Sequence, residues 1–188
     1  MNLNGEAVIG STGSTTNRID AIVRNSSVWS SSTNVTMVPS KEVKVGIDKF
    51  KIITVVYRTT FNAIEKASTQ LPTVAFPSFI ISPAGNNFNH VRLDVSEAGG
   101  MVVSYLDFAG VIYAQVGFSG TFEATPTSLN AMAKNESVAM SDAGIAFAIW
   151  KDTTGNGFIE GSRTIVNASQ LIKVLGKKRL IYQKGLYP

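Results

Sequence analysis

The chain has 188 residues, of which 44% are hydrophobic and only 16% charged, with a formal net charge of +4. That apolar content excludes an intrinsically disordered chain, and the length suffices for one domain with a real core. The sequence holds no cysteine, which excludes a disulfide framework, a thiol nucleophile and thiolate metal sites.

The remaining composition is heavy in Ser, Thr, Asn and Gly, which suits a β protein with many turns or a subunit that covers its surface with copies of itself. The first residues, MNLNGEAVIGSTGSTTN, lack the basic start and apolar run of a secretory signal. No apolar run approaches the roughly 18 residues that span a bilayer. The expectation is a soluble chain with no membrane partner. Four glycosylation-type sequons, at Asn25, Asn34, Asn135 and Asn167, read as chance matches in so Ser- and Thr-rich a chain. Charge is unevenly placed. Arg163, Lys173, Lys177, Lys178, Arg179 and Lys184 follow residue 160 with no acid among them, so the preceding residues carry 11 basic and 13 acidic groups. A basic end on a near-neutral body points to a polyanion or an acidic partner, or simply to a solvated helix end.

In chain order, residues 1–33 read as a polar arm or edge hairpin. Arg18–Arg24, RIDAIVR, has helical spacing but is too short to decide. Residues 34–38 form a short strand that stops at Pro39. Val43, Val45, Ile47, Ile53, Val55, Tyr57 and Phe61 share one parity, interrupted by Lys49 and Lys51, and predict two strands or one bent strand. Residues 62–69 suggest a helical turn. Pro72, Pro77 and Pro83 confine residues 71–81 to an edge strand or loop. Residues 91–95 and 111–123 alternate apolar and polar side chains, with residues 102–108 as a further strand between them, separated by Ala98-Gly99-Gly100 and Ala109-Gly110. Three strands with tight connections predict an antiparallel meander.

Pro126 after a Thr start then signals a helix, with Leu129, Met132, Ala133, Glu136 and Met140 at helical spacing. Residues 145–150 predict a buried strand and 152–161 a loop. Residues 163–175 carry Ile165, Ala168, Ile172 and Leu175 on one stripe, with Gly176 as C-cap. No internal repeat and no linker is evident. The fold class expected is α+β and β-dominated: an antiparallel meander sheet with one or two helices of the C-terminal third packed on one face. The expected organisation is a single domain over 1–188, with the arm at 1–33, the sheet at 34–123 and a helical region with a docking tail at 124–188.

Few residues suggest chemistry. Asp152, Asn156, Gly157 and Ile159 fall as in a calcium loop, with Glu160 nearby. Thr154 and Arg163, however, occupy positions that need a ligand, so a Gly-Asn turn is the better reading and no metal or other cofactor is expected. His90 is the sole histidine and reads as a loop residue. The thirteen acids are scattered, and no phosphate or dinucleotide motif occurs. The expectation is that the chain is not an enzyme. On the polar strand face Lys49, Lys51, Arg58 and Arg92 could meet phosphate, while Tyr113 and Gln115 could stack on or hydrogen-bond a base.

YAQVGFSGTFEATPTSL, residues 113–129, resembles the last sheet strand of single-stranded RNA bacteriophage coat proteins and the turn into their first helix. The C-terminal Leu- and Ile-rich stretch ending in GLYP, and NVTMVPS at 34–40, are similar to other parts of that family. The resemblance implies a homodimer that tiles a shell and binds genomic RNA through the six strand residues just named. Leu171, Ile172, Leu175, Leu180, Ile181, Leu186 and Tyr187 would then lie at the subunit interface. Localisation would be the virion, assembled in the host cytoplasm. A second resemblance, of IWKDTTGNG to the Asp/Gly loop of type IV pilin-like minor subunits, implies instead an extracellular pilus or adhesion module.

Overall fold

The computed structural model describes residues 1–12, 18–25, 27–71, 75–130, 132–154, 159–165 and 176–180. Every regular element among them is a β-strand. The first sheet holds β1 (Ala7–Thr12) and β2 (Ile19–Asn25), with β3 (Val28–Trp29) and β4 (Thr33–Thr36) both paired to β2. The second runs β5 (Ser40–Ile47), β6 (Ile52–Thr59), β7 (Ile64–Gln70), β8 (Ser78–Ile80). The third runs β9 (Phe88–Val95), β10 (Gly100–Asp107) and β11 (Ile112–Phe118), with β12 (Thr121–Phe122) and β13 (Thr127–Asn130) both on β11. The fourth runs β14 (Ala133–Met140), β15 (Ile145–Asp152), β16 (Ile159–Ile165), β17 (Gly176–Leu180).

Each sheet is an antiparallel meander, and the first strands meet in order: β1 lies against β5, β5 against β9, β9 against β14. The sheets stack face to face. Ile19, Ala21 and Val23 of β2 pack on Ile53, Val55 and Tyr57 of β6. Val56 and Ile64 pack on Val91, Val103 and Tyr105. Leu106, Ile112 and Leu129 pack on Ala148 and Trp150. Successive antiparallel sheets of four or five strands packed in this way, with their first strands together, form the blade arrangement of a β-propeller.

The stacking explains the burial. The second and third sheets are covered on both faces, so β6 shows Ile53, Val55 and Tyr57 to one neighbour and Val56 to the other. All eight residues of β10 are buried. Close approach of the first strands needs small residues. A Cβ on Gly46 of β5 would collide with the Val95 side chain of β9, and one on Gly10 of β1 with Val45 of β5.

One turn recurs. At Asn2, Asp48, Thr59, Ser96, Asp107 and Ser141 the N–H of the turn's first residue donates to the carbonyl four residues on, and the N–H three residues on donates back. In each, that first side chain also accepts from the backbone N–H four residues on, at 2.8–3.2 Å. The fourth residue is left-handed throughout: Gly5, Lys51, Asn62, Gly99, Gly110 and Gly144 have φ of 63–92°. This is a type I turn closed by a left-handed residue, a common hairpin connection.

The α+β expectation is overturned. In place of the expected helical turn lies strand β7 (Ile64–Gln70), and the expected helix is replaced by strands β13 (Thr127–Asn130) and β14 (Ala133–Met140). The helical spacing of Ala133, Glu136 and Met140 has a different origin. β14 pairs Lys134 with Lys151 and then Ser137 with Ile149, so Asn135 and Glu136 together face Trp150. The extra residue of this bulge resets the alternation, and buried side chains fall three and four apart, as on a helix. Residues 163–165 belong to β16, and Gly176 opens β17 instead of capping a helix. The rest of that expected helix lies outside the described residues. The meander at 91–123 is present in β9, β10 and β11, and Val43, Val45, Ile47, Ile53, Val55 and Tyr57 do share one core.

Candidate functional site

Three of the four first strands carry a bulge near their start. In β5 the register passes from Ser40–Thr59 to Glu42–Arg58, leaving Lys41 extra. In β9 it passes from Phe88–Asp107 to His90–Leu106, leaving Asn89 extra. In β14 the extra residue is at Asn135–Glu136, where Asn135 is left-handed with φ of 54°. Immediately after each bulged position stands a titratable side chain: Glu42, His90, Glu136. Bulges re-aim side chains and gather next to active sites, and strained backbone at one place marks a candidate for function.

The three strand starts form one cluster. Glu42 Oε1 accepts from Arg92 Nη1 and Lys44 Nζ, each at 3.3 Å. Arg58 lies opposite Glu42 in the ladder, and its Nη1 donates to Asn62 Oδ1 at 3.2 Å and the Phe88 carbonyl at 3.5 Å. Asp94, two residues beyond Arg92, accepts from the Met140 N–H at 2.7 Å and ties β9 to β14.

Glu136 is 4% exposed, and neither carboxyl oxygen has a hydrogen-bond partner. Loss of water pushes its carboxyl above the ordinary value of 4.5. Its own backbone N–H, Arg92 and His90 oppose the rise, and Glu42 adds to it. A buried polar group without a partner costs stability and calls for an explanation. Arg58 Nε and Asn89 Oδ1 are likewise buried without partners. The cluster thus combines a carboxyl held toward its protonated form, cations and an imidazole at a set of strand ends. That combination suits proton transfer to and from a polar ligand.

Of the residues expected to bind RNA, the fold brings only Arg58 and Arg92 into this cluster. Lys49 and Lys51 sit in the β5–β6 turn, where Lys49 lies over the Phe50 ring and Lys51 pairs with buried Glu6 at 2.6 Å. Tyr113 stacks beside Tyr105 and meets the edge of Phe88. Gln115 is buried, accepting from the Tyr105 hydroxyl and donating to the Glu123 carbonyl, both at 2.9 Å. Tyr113 is half-buried, and its hydroxyl accepts from Asn86 Nδ2 at 2.9 Å. Of the expected interface residues, Leu180 falls in β17; Leu171, Ile172, Leu175, Ile181, Leu186 and Tyr187 lie outside the described residues.

Of the calcium candidates, Asn156 is also outside the described residues. Asp152 accepts from the Thr154 N–H and hydroxyl, and Glu160 from Trp150 Nε1. Among the described residues no group of three His, Asp or Glu side chains could hold a metal. Glu42, His90 and Glu136 were missed because each is ordinary by type. Their one shared signal is spacing by roughly 47 residues, near the length of a four-stranded blade.

The fold and cluster together define an all-β stack with a charged site on its first strands. Several solved structures share that architecture. A protein of unknown function from Dyadobacter fermentans matches 86% of this chain with a TM-score of 0.60 and 14% identity. A polysaccharide lyase, an ulvan lyase, matches 88% with a TM-score of 0.59 and 10% identity. A protein described as an exo-β-1,3-galactanase, from Bifidobacterium bifidum, matches 87% with a TM-score of 0.50 and 11% identity. The chain spans 50% of the length of the first two and 65% of the third. No protein-family model and no curated protein matches.

These likenesses overturn the coat-protein resemblance. That resemblance implies helices packed on one sheet, whereas every regular element among the described residues is a strand, in a stack of sheets shared with the solved structures just named. The capsid-subunit role falls with it. The expectation of a non-enzymatic subunit is corrected as well, because proteins with this fold include a lyase and a galactanase.

Proposed function

We propose that the chain is part of a carbohydrate-active enzyme that cleaves a polysaccharide at the starts of β5, β9 and β14. The observation that carries this reading is Glu136, a buried, unpartnered carboxyl beside Arg92 and His90. A carboxyl whose proton affinity is raised by burial is suited to give its proton to a leaving oxygen, as the acid of glycan cleavage must. The bulge and the left-handed Asn135 hold it there. Glu42 fixes Arg92, and the His90 imidazole stands at the bulged start of the same strand as Arg92. The fold shared with a polysaccharide lyase and a galactanase supports glycan as the substrate class.

The test is release of new chain ends from a panel of polysaccharides, comparing the native protein with Glu136→Gln. The expected loss is at least about 100-fold, the usual worth of a general acid, with the circular dichroism spectrum unchanged. Cleavage by the variant at the native rate would remove Glu136 from the mechanism. A native protein that cleaves nothing in the panel would overturn the reading.

A further inference from the structure

The same cluster carries information about which sugar it takes. Arg92 makes both of its hydrogen bonds through Nη1, to Glu42 Oε1 at 3.3 Å and to its neighbour's carbonyl, Val91 O, at 3.2 Å. Its Nε and Nη2, the side of the guanidinium that grips a planar carboxylate with two parallel bonds, make no hydrogen bond among the described residues. Arg58 repeats the pattern, with both bonds through Nη1 and a buried Nε that has no partner.

The charges around these edges favour an anion. Arg58, Arg92 and Lys44 meet a single paired carboxylate, Glu42. Asp94 is taken up by the backbone N–H groups of Val95 and Met140, and Glu136 has no cation in hydrogen-bond contact and neither oxygen satisfied. A neutral sugar would leave the cations unmatched and would have to bring its hydroxyls to groups shaped for a flat two-oxygen anion.

We infer that the strand-start cluster binds a sugar ring bearing a carboxylate, a uronate, with Arg92 forked on its two oxygens. This rests on the reading of the cluster as a glycan site, and binding separates the two claims where cleavage would not. The probe is an oligogalacturonate, and its control is the same oligosaccharide after chemical reduction of its carboxyl groups. Linkage and ring are then unchanged and only the charge is gone. Titration calorimetry is expected to show at least tenfold tighter binding of the uronate. Arg92→Lys keeps the charge and removes the fork; it is expected to lose most of that preference while its thermal melt stays close to the native one.

Equal binding of the uronate and its reduced form would overturn the inference and leave the glycan reading standing. Undiminished uronate preference in Arg92→Lys and in Arg92→Gln would also overturn it, since the carboxylate would then sit elsewhere. Binding of neither oligosaccharide would count against both claims.

Discussion

At the scale of single residues, Glu136 is where folding and function pull apart. Its carboxyl is buried without a partner, and burial raises its proton affinity in the folded state. The unfolded chain releases that proton near the ordinary value of 4.5. Between this value and the raised folded one, the native state binds more protons than the unfolded state, so stability falls as pH rises. Glu136→Gln keeps the shape and cannot ionise. The variant is expected to be more stable than the native protein at neutral pH and no more stable below the ordinary carboxylate range. Urea titrations across that pH window measure the difference; a gap of constant size at all pH values would show that ionisation is not its source. A stabilising change at a residue proposed to act in catalysis follows the usual trade at functional sites.

At the scale of elements, the recurrent turn sets the strand pairings. Its fourth position is left-handed, at a cost of roughly 1–2 kcal/mol for an ordinary L residue. Gly144, with φ of 74°, supplies it between β14 and β15. Gly144→Ala is expected to cost about 1 kcal/mol, read from the urea midpoint at unchanged slope. An effect within about 0.2 kcal/mol would mean the turn relaxes to another form. These turns were the readable part of the sequence. Ser96-Glu-Ala-Gly99 and Asp107-Phe-Ala-Gly110 mark the meander by residue type alone. Ser141-Asp-Ala-Gly144 is the same turn, but in the sequence it reads as a helix end. The bulge at Asn135 had already given Ala133 and Glu136 a helical spacing. Register irregularities leave no mark in residue type, so the three strand-start bulges, and with them the candidate site, were not legible from the sequence.

At the scale of the whole molecule, the stack depends on how closely successive first strands approach. The repeat was hidden in the sequence for this reason. Each sheet meets a different neighbour, so Gly46 faces Val95 while Gly10 faces Val45, and equivalent positions carry unlike residues. The contact between Gly46 and Val95 joins the second sheet to the third on the same two strands, β5 and β9, that bear Glu42 and Arg92. Gly46→Ala forces the strands apart or the Val95 side chain aside, at an expected cost of about 1–3 kcal/mol. The position of Arg92 against Glu42 should shift with it. Val95→Ala makes the missing room and by itself leaves a gap. The two changes should therefore compensate, with the double variant more stable than the sum of the single effects by at least about 0.5 kcal/mol. Urea denaturation of the four proteins gives that coupling directly. Simple additivity would mean that the first strands are not held in contact at this point, and that the geometry between Glu42 and Arg92 is set elsewhere.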